Sequence, residues 1–535
     1  MKLVFCPRSE GTMEMAKCSK YLPKQTFFVC LCIVIFFSLG GDCSIHEYRN
    51  GEFVQNGNAY LFYGGSEGMH ASIPKETSYG VANGRSYIGF DHVKFRRTEE
   101  SAAKHTDYES SSGLVQAILF EASDRDKIGG SAYGGRIAIC CTADLAKVEG
   151  CKQGEVILRP SDLAFWPMQI PIYFKGASIE AFMQAENVNI SKTGMYNLYF
   201  IFCDPQLQGL VIDGSTRWKN PSGYLPGRMA PLMTFYGLMS LAYLVLGVAW
   251  MSQYLRFWRD ILALQNYLTT IIVLGMFEVT LWYFEYANFN VTGRRPIGIT
   301  FWAVTFGTVK KTLSRLLILV VSMGYGVVRP TLGGLTSKVI LLGTTYFLAA
   351  EVLDVFEHVG TVNDLSGKAR LFLVLPVAVL DAFFILWTFT SLSKTLEKLQ
   401  ARRMVAKLEL YRKFTNALAV SVVISVAWIG YELYFKATDP FSERWQTAWI
   451  ISSFWNILTF AFLCIVCALW APSQNSTRYA YSDEGGENFD DEDALPLKAS
   501  TNAELDKASI MKHERKVVSS DLFISNEDVE EDKRE

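Results

Sequence analysis

The chain has 535 residues, 50% of them hydrophobic and 14% aromatic, with a formal net charge of -2. An ordinary soluble enzyme of this length does not carry so much apolar residue in so clustered a pattern. The small net charge conceals opposed segments, a basic stretch over 394–413 and an acidic tail after Trp470, so the segments are more informative than the total.

Lys17, Lys20 and Lys24 precede an apolar run at 27–37, which ends in the small residues Ser38, Gly40 and Gly41. That layout is a secretory signal peptide, assigned to 1–43, with cleavage expected near Gly41 or Cys43. The stretch before the run is long, which leaves a start at Met13 or Met15, or retention of the run as an anchor, as alternatives. Cleavage delivers 44–228 to a lumen or to the outside of the cell.

That region reads as short strands at 114–122, 136–141, 155–158, 169–174, 178–183, 196–202 and 209–212, punctuated by Gly, Asp, Pro or Asn. Strands so spaced, without amphipathic helices between them, predict an all-β sandwich. The Gly- and Ser-rich stretch 64–84 reads as loop. In an oxidising lumen Cys140, Cys141, Cys151 and Cys203 are disulfide candidates, joined by Cys43 only if cleavage spares it, and spacing does not fix the pairing. Sequons at Asn189 and Asn290 are candidate glycosylation sites.

Seven apolar segments follow, at 231–251, 261–285, 297–326, 339–357, 369–392, 413–436 and 445–470, within a bundle assigned to 229–470. Each has roughly 20 residues or more, enough for a helix to cross about 30 Å of hydrocarbon. An odd number of spans puts the tail, 471–535, in the cytosol. Loop charge agrees: Arg256 and Arg259, then Arg329 and Lys338, then Lys394, Lys398, Arg402, Arg403, Lys407, Arg412 and Lys413 fall on the cytosolic side. Arg294 and Arg295 break this pattern in a luminal loop. The basic stretch between the fifth and sixth segments has helical composition and suits contact with anionic lipid headgroups. Cys464 and Cys467 have CxxC spacing, but within an apolar span they read as small apolar residues. The tail, with its acidic run at 483–493, has the composition of a disordered segment.

The third segment carries Lys310, Lys311 and Arg315. Lys311 and Arg315 are four apart and share a helical face, with Lys310 about 100° away. A charge at that depth costs roughly 2.5–3.5 kcal/mol even on insertion scales, so it requires a partner or a polar cavity. Candidate partners are Glu278 and Glu285 on the second segment, Asp381 on the fifth and Glu432 on the sixth. On the fourth, Glu351, Asp354 and His358 form one stripe. Most of these carboxylates fall in the luminal halves of their helices, which predicts an acidic vestibule open to the lumen above a basic belt. Such a vestibule attracts cations or senses luminal pH through His358. The plainer alternative is that Glu351, Glu357 and His358 reach the luminal interface.

No Walker A loop, HExxH, GxSxG or paired metal-ligand spacing occurs, which speaks against an enzyme or a metal site. Basic residues mix with aromatics only near membrane ends, so nucleic-acid binding is not expected.

Three stretches carry a family resemblance. TGMYNLYFIFCDP at 193–205, followed by RWKNPSGYLPG at 217–227, resembles the ending of the luminal domain in the GOLD-domain seven-transmembrane proteins, also called the lung seven-transmembrane receptor family. KKTLSRLLILVVSMGYGVVRPTLG at 310–333 resembles their third helix, and WAPSQNSTRYAYS at 470–482 is similar to the signature after the last span in the transmembrane protein 87 branch. The resemblance implies a luminal GOLD-like β-sandwich on a seven-helix, Wntless-like bundle with a lipid-accessible cavity. It implies no cofactor beyond a bound phospholipid, residence in the Golgi, and a role in Golgi–endosome traffic with an unidentified luminal cargo. A cation-conducting or mechanically sensitive channel is the family's other proposed role. The terminal Lys533-Arg534-Glu535 is similar to the Lys-x-Asp/Glu ending of some plant Golgi membrane proteins, which implies a plant member whose tail, through Lys533 and Glu535, meets the COPI coat.

Overall fold

A computed structural model of the protein describes residues 44–72, 84–104, 113–131, 137–149, 151–159, 166–184, 187–325, 333–359, 367–439 and 442–472. The signal-like run, Cys43, the acidic run and the terminal Lys533 and Glu535 lie outside the described residues.

Twelve strands are described: β1 (Ile45–Glu52), β2 (Val54–Asn56), β3 (Ala59–Met69), β4 (Tyr87–Arg96), β5 (Leu114–Glu121), β6 (Gly130–Ser131), β7 (Ile137–Ala138), β8 (Met168–Tyr173), β9 (Glu180–Phe182), β10 (Val188–Asn189), β11 (Gly194–Phe202) and β12 (Val211–Lys219). One antiparallel sheet runs β1-β12-β4-β10 with β9 also on β4, a second runs β2-β3-β11-β5-β8, and β6 pairs with β7. Residues of one parity on β5 and β11, including Val115, Ala117, Leu119, Phe200 and Phe202, face the core between the sheets with Phe95 and Trp218. Those of the other parity, Ile118, Phe120 and Ile201, meet a second cluster with Cys140 and Val156. These central strands are covered on both faces, which explains their nearly unbroken apolar sequence.

The stretch read as loop from 64 onward instead supplies the second half of β3. A Cβ at Gly68 would lie 2.5 Å from the Trp445 ring, so the residue that signals a loop here serves close packing within a strand. β1 and β4 were not apparent as strands in the sequence. The segment at 136–141 shortens to β7, and 155–158 pairs only through the isolated bridges Ile128–Leu158 and Cys140–Val156. The four candidate cysteines form two disulfides, Cys140–Cys203 and Cys141–Cys151.

Among the described residues seven long helices follow: α1 (Ala230–Arg256), α2 (Ala263–Thr292), α3 (Ile297–Ser322), α4 (Leu335–Val359), α5 (Gly367–Ala401), α6 (Val405–Thr438) and α7 (Trp445–Leu469). All but α3 are long and apolar enough to cross a membrane by composition alone, and α3 is the helix with the three cations. Outward side chains such as Leu238, Val245, Phe372, Leu386 and Val423 are exposed, as an apolar solvent requires. α5 and α6 extend past the predicted spans and absorb most of the basic stretch between them, as its composition suggested.

The sandwich sits on the helix ends formed by the start of α1, the α2–α3 turn and the start of α7. Ser44 N donates to Gly293 O at 3.1 Å, Tyr224 N to Asn290 O at 2.9 Å, and Gly227 N to Gly68 O at 2.9 Å. Asn290 Oδ1 accepts from Leu225 N at 3.1 Å while its Nδ2 donates to Ser222 O at 3.0 Å. Just inside this joint Glu67, 4% exposed, lies 3.1 Å from His46 Nε2 and accepts from Ser44 Oγ.

Burial is the largest influence on Glu67 and raises its carboxyl above the ordinary 4.5, against His46, Arg228 and Ser44, which pull it down. A raised carboxyl pKa means that the fold holds the proton more tightly than the unfolded chain does. Its stabilising contribution is therefore present at low pH and is lost as pH rises through the raised value. Glu67→Gln, neutral at every pH, should melt at a higher temperature than the wild type above pH 7. The gap should close as pH falls below 4.5; a gap independent of pH would refute the burial argument.

Candidate functional site

The charged residues of the bundle assemble into a ladder of ion pairs across four helices. Lys310 and Lys311 diverge by about 100° and reach different helices, and Arg315, one turn beyond Lys311 on the same face, reaches a third. Lys310 turns toward α2 and pairs with Glu278, with side chains 8% and 11% exposed. Its ammonium also lies 5.7 Å from the centre of the Tyr243 ring on α1. Gly307, one turn earlier, leaves the space: a Cβ there would stand 2.9 Å from Glu278 Oε1. Lys311 Nζ lies 3.6 Å from Asp354 Oδ2 on α4, an oxygen that also accepts from Thr308 Oγ1 at 2.9 Å. Arg315 Nε donates to Asp381 Oδ1 on α5 at 2.6 Å, and its guanidinium lies 4.8 Å from the Tyr346 ring centre.

A fourth rung sits at the sandwich end. Arg295 Nε is 2.5 Å from Glu285 Oε1, both side chains buried, and Arg295 Nη1 donates to His358 O at 3.0 Å. This rung was not foreseen. Its signal was the misfit of two arginines in a loop expected to be poor in basic residues; Arg295 is there because a buried carboxylate needs it.

The structure brings together Glu278, Glu285, Asp354, Asp381, Lys310, Lys311 and Arg315, all singled out by sequence, but not as an acidic vestibule above a basic belt. Each of those four carboxylates faces a cation, so their charge is compensated locally. Glu432 stands apart, paired with Lys436 one turn on along α6 at 2.6 Å. Glu351 accepts from Thr305 Oγ1 at 2.7 Å, and its Oε2 is buried without a hydrogen-bond partner among the described residues. His358 is engaged inside the bundle: its Nδ1 lies 2.9 Å from Asp354 O and its ring 5.1 Å from that of Trp282. Cys464 and Cys467 remain free on α7, as an apolar span leads one to expect.

Of the two sequons, Asn189 is exposed on β10. Asn290 is half-buried with its amide engaged on both sides, and a glycan there would have to displace the Ser222 carbonyl.

Residues 231–477 match the family model described as GOST, seven transmembrane domain. Over 278 residues the chain is 35% identical to Transmembrane protein 87B of Mus musculus, covering 50% of this chain and 49% of that protein. It is 34% identical to Transmembrane protein 87A of Homo sapiens over 279 residues, 52% of this chain and 50% of that one. Membrane protein PTM1 of Saccharomyces cerevisiae is 26% identical over 332 residues, 59% and 62% of the two chains. The chain thus spans about half the length of the transmembrane protein 87 relatives it matches. The family-model match runs from α1 through α7 and takes in every rung of the ladder. The helical part of this multi-pass membrane protein, residues 231–477, is therefore similar to the GOST seven-transmembrane domain and, at 34–35% identity, to the transmembrane proteins 87A and 87B.

Proposed function

We propose that the protein is a Golgi-resident, non-enzymatic membrane protein that supports traffic between Golgi and endosomes by binding cargo or lipid. In this reading the sandwich is luminal and the tail cytosolic. Two disulfides in the sandwich suit an oxidising lumen. Arg256, Arg259, Lys338, Lys394, Lys398, Arg402 and Arg403, all at the helix ends away from the sandwich, suit a cytosolic face. Its partners are membrane lipids, a luminal cargo and, at Lys533 and Glu535, a COPI coat. This reading calls for no cofactor and includes a phospholipid as the ligand of the bundle.

The observation that carries the binding reading is the exposure of two rungs. The Arg315 and Asp381 side chains are each 30% exposed and that of Lys311 is 35% exposed, within otherwise apolar helices. Cations held at that depth and still accessible can receive the anionic head of a lipid. A second reading, a cation channel regulated by pH or membrane tension, is favoured by the unpartnered Oε2 of Glu351.

Purified protein should retain phospholipid detectable by mass spectrometry, and Lys311→Leu with Arg315→Leu should lose it and slow cargo traffic in cells. Liposomes containing the wild type should pass no more cations than empty ones. A robust flux abolished by Glu351→Gln would transfer the assignment to the channel.

A further inference from the structure

Arg294 and Arg295 are consecutive in the α2–α3 turn and engage opposite domains. The Arg294 guanidinium pairs with Glu47 on β1, which also takes Arg49 at 3.0 Å. Arg295 pairs with Glu285 of α2 and donates to the carbonyl of His358 on α4, while Thr300 of α3 approaches the same Glu285 oxygen at 3.4 Å. Gly293, at φ 73°, ends α2 immediately before the two arginines, and its carbonyl accepts from the amide of Ser44 at the head of β1.

The two grips differ in character. The sandwich-side pair is solvent-exposed, with Arg294 61% and Glu47 36% accessible, so it is screened by salt and reversible. The bundle-side pair is sealed, with Arg295 7% and Glu285 0% exposed, so the guanidinium cannot shift without α2 and α4 following. From His358 the connection continues in two short steps. Its Nδ1 meets Asp354 O one turn back, and Asp354 holds Lys311 at the centre of the ladder.

We propose that the Arg294–Arg295 turn is a coupling latch, through which displacement of the sandwich alters the α3–α4 part of the ladder and occupancy of the ladder alters the sandwich. Reciprocity follows from linkage. The latch depends on the joint alone and holds whether the ladder binds lipid or passes ions.

Hydrogen–deuterium exchange on the full chain in lipid nanodiscs tests it, following residues 297–304 at the start of α3 and 351–358 at the end of α4, with 414–430 of α6 as internal reference. Glu47→Gln and Arg294→Gln should each speed exchange at both sites by about threefold, the equivalent of one exposed ion pair. The double variant should match either single one, because both remove the same contact. Changes confined to β1 and the turn, or fully additive effects at α3 and α4, would overturn the latch. An equal acceleration in the α6 reference would mean general loosening and would overturn it too.

Discussion

Replacing Lys310 by leucine is expected to destabilise the protein by about 3–5 kcal/mol, because it strands the Glu278 carboxylate in a buried site. Glu278→Leu should cost a similar amount for the converse reason. Joined in one chain, the two changes remove both charges and should recover most of the loss, since apolar residues of similar volume often replace a buried pair without penalty. Thermal unfolding in detergent, with the two single variants and the double one side by side, measures this. Lys311→Leu and Arg315→Leu should be milder, because their side chains and that of Asp381 are about a third exposed. A Lys310→Leu protein that melts with the wild type would show that Glu278 reaches water.

The second large effect is expected at Cys140–Cys203, which closes a loop of 63 residues. The chain-entropy relation gives about 4 kcal/mol for a loop of that length and about 3 kcal/mol for the 10-residue loop of Cys141–Cys151. Cys203→Ser should therefore lower the denaturant midpoint of the sandwich, followed by tryptophan fluorescence, more than Cys151→Ser does. Cys140→Ser should be worse than either in proportion to burial, for Cys140 is 3% exposed in the second core. The reverse order would mean that residual structure in the reduced chain outweighs loop length.

The helices were legible because twenty apolar residues in lipid have few alternatives to a helix. Their neighbours were not. Sequence placed Lys311 and Arg315 on one face and nominated Glu278 and Asp381 as their partners; Asp381 does take Arg315, but Glu278 takes Lys310 and Lys311 turns to Asp354, because which helix stands beside each face is a property of the assembled bundle. Hence Lys310, the most buried of the three α3 cations, drew less notice than the other two. The disulfide pairing was illegible for a related reason. Cys140 and Cys141 are adjacent, so in extended chain their side chains point to opposite faces and must find different partners, yet only the folded sheet decides that Cys203 lies on the side of Cys140. Gly68 misled because glycine signals a turn and a close approach with the same letter.

Trp445 opens the last helix, yet it is 3% exposed and its ring is seated among Gly68, Gly227, Ala122 and Met195 of the N-terminal half. A ribosome makes that seat early and its occupant only after six other helices have left the tunnel. Until α7 is in place, the sandwich carries an open apolar notch at the membrane surface. The first domain to be made is thus the last to be closed, and truncation anywhere before residue 445 leaves it open.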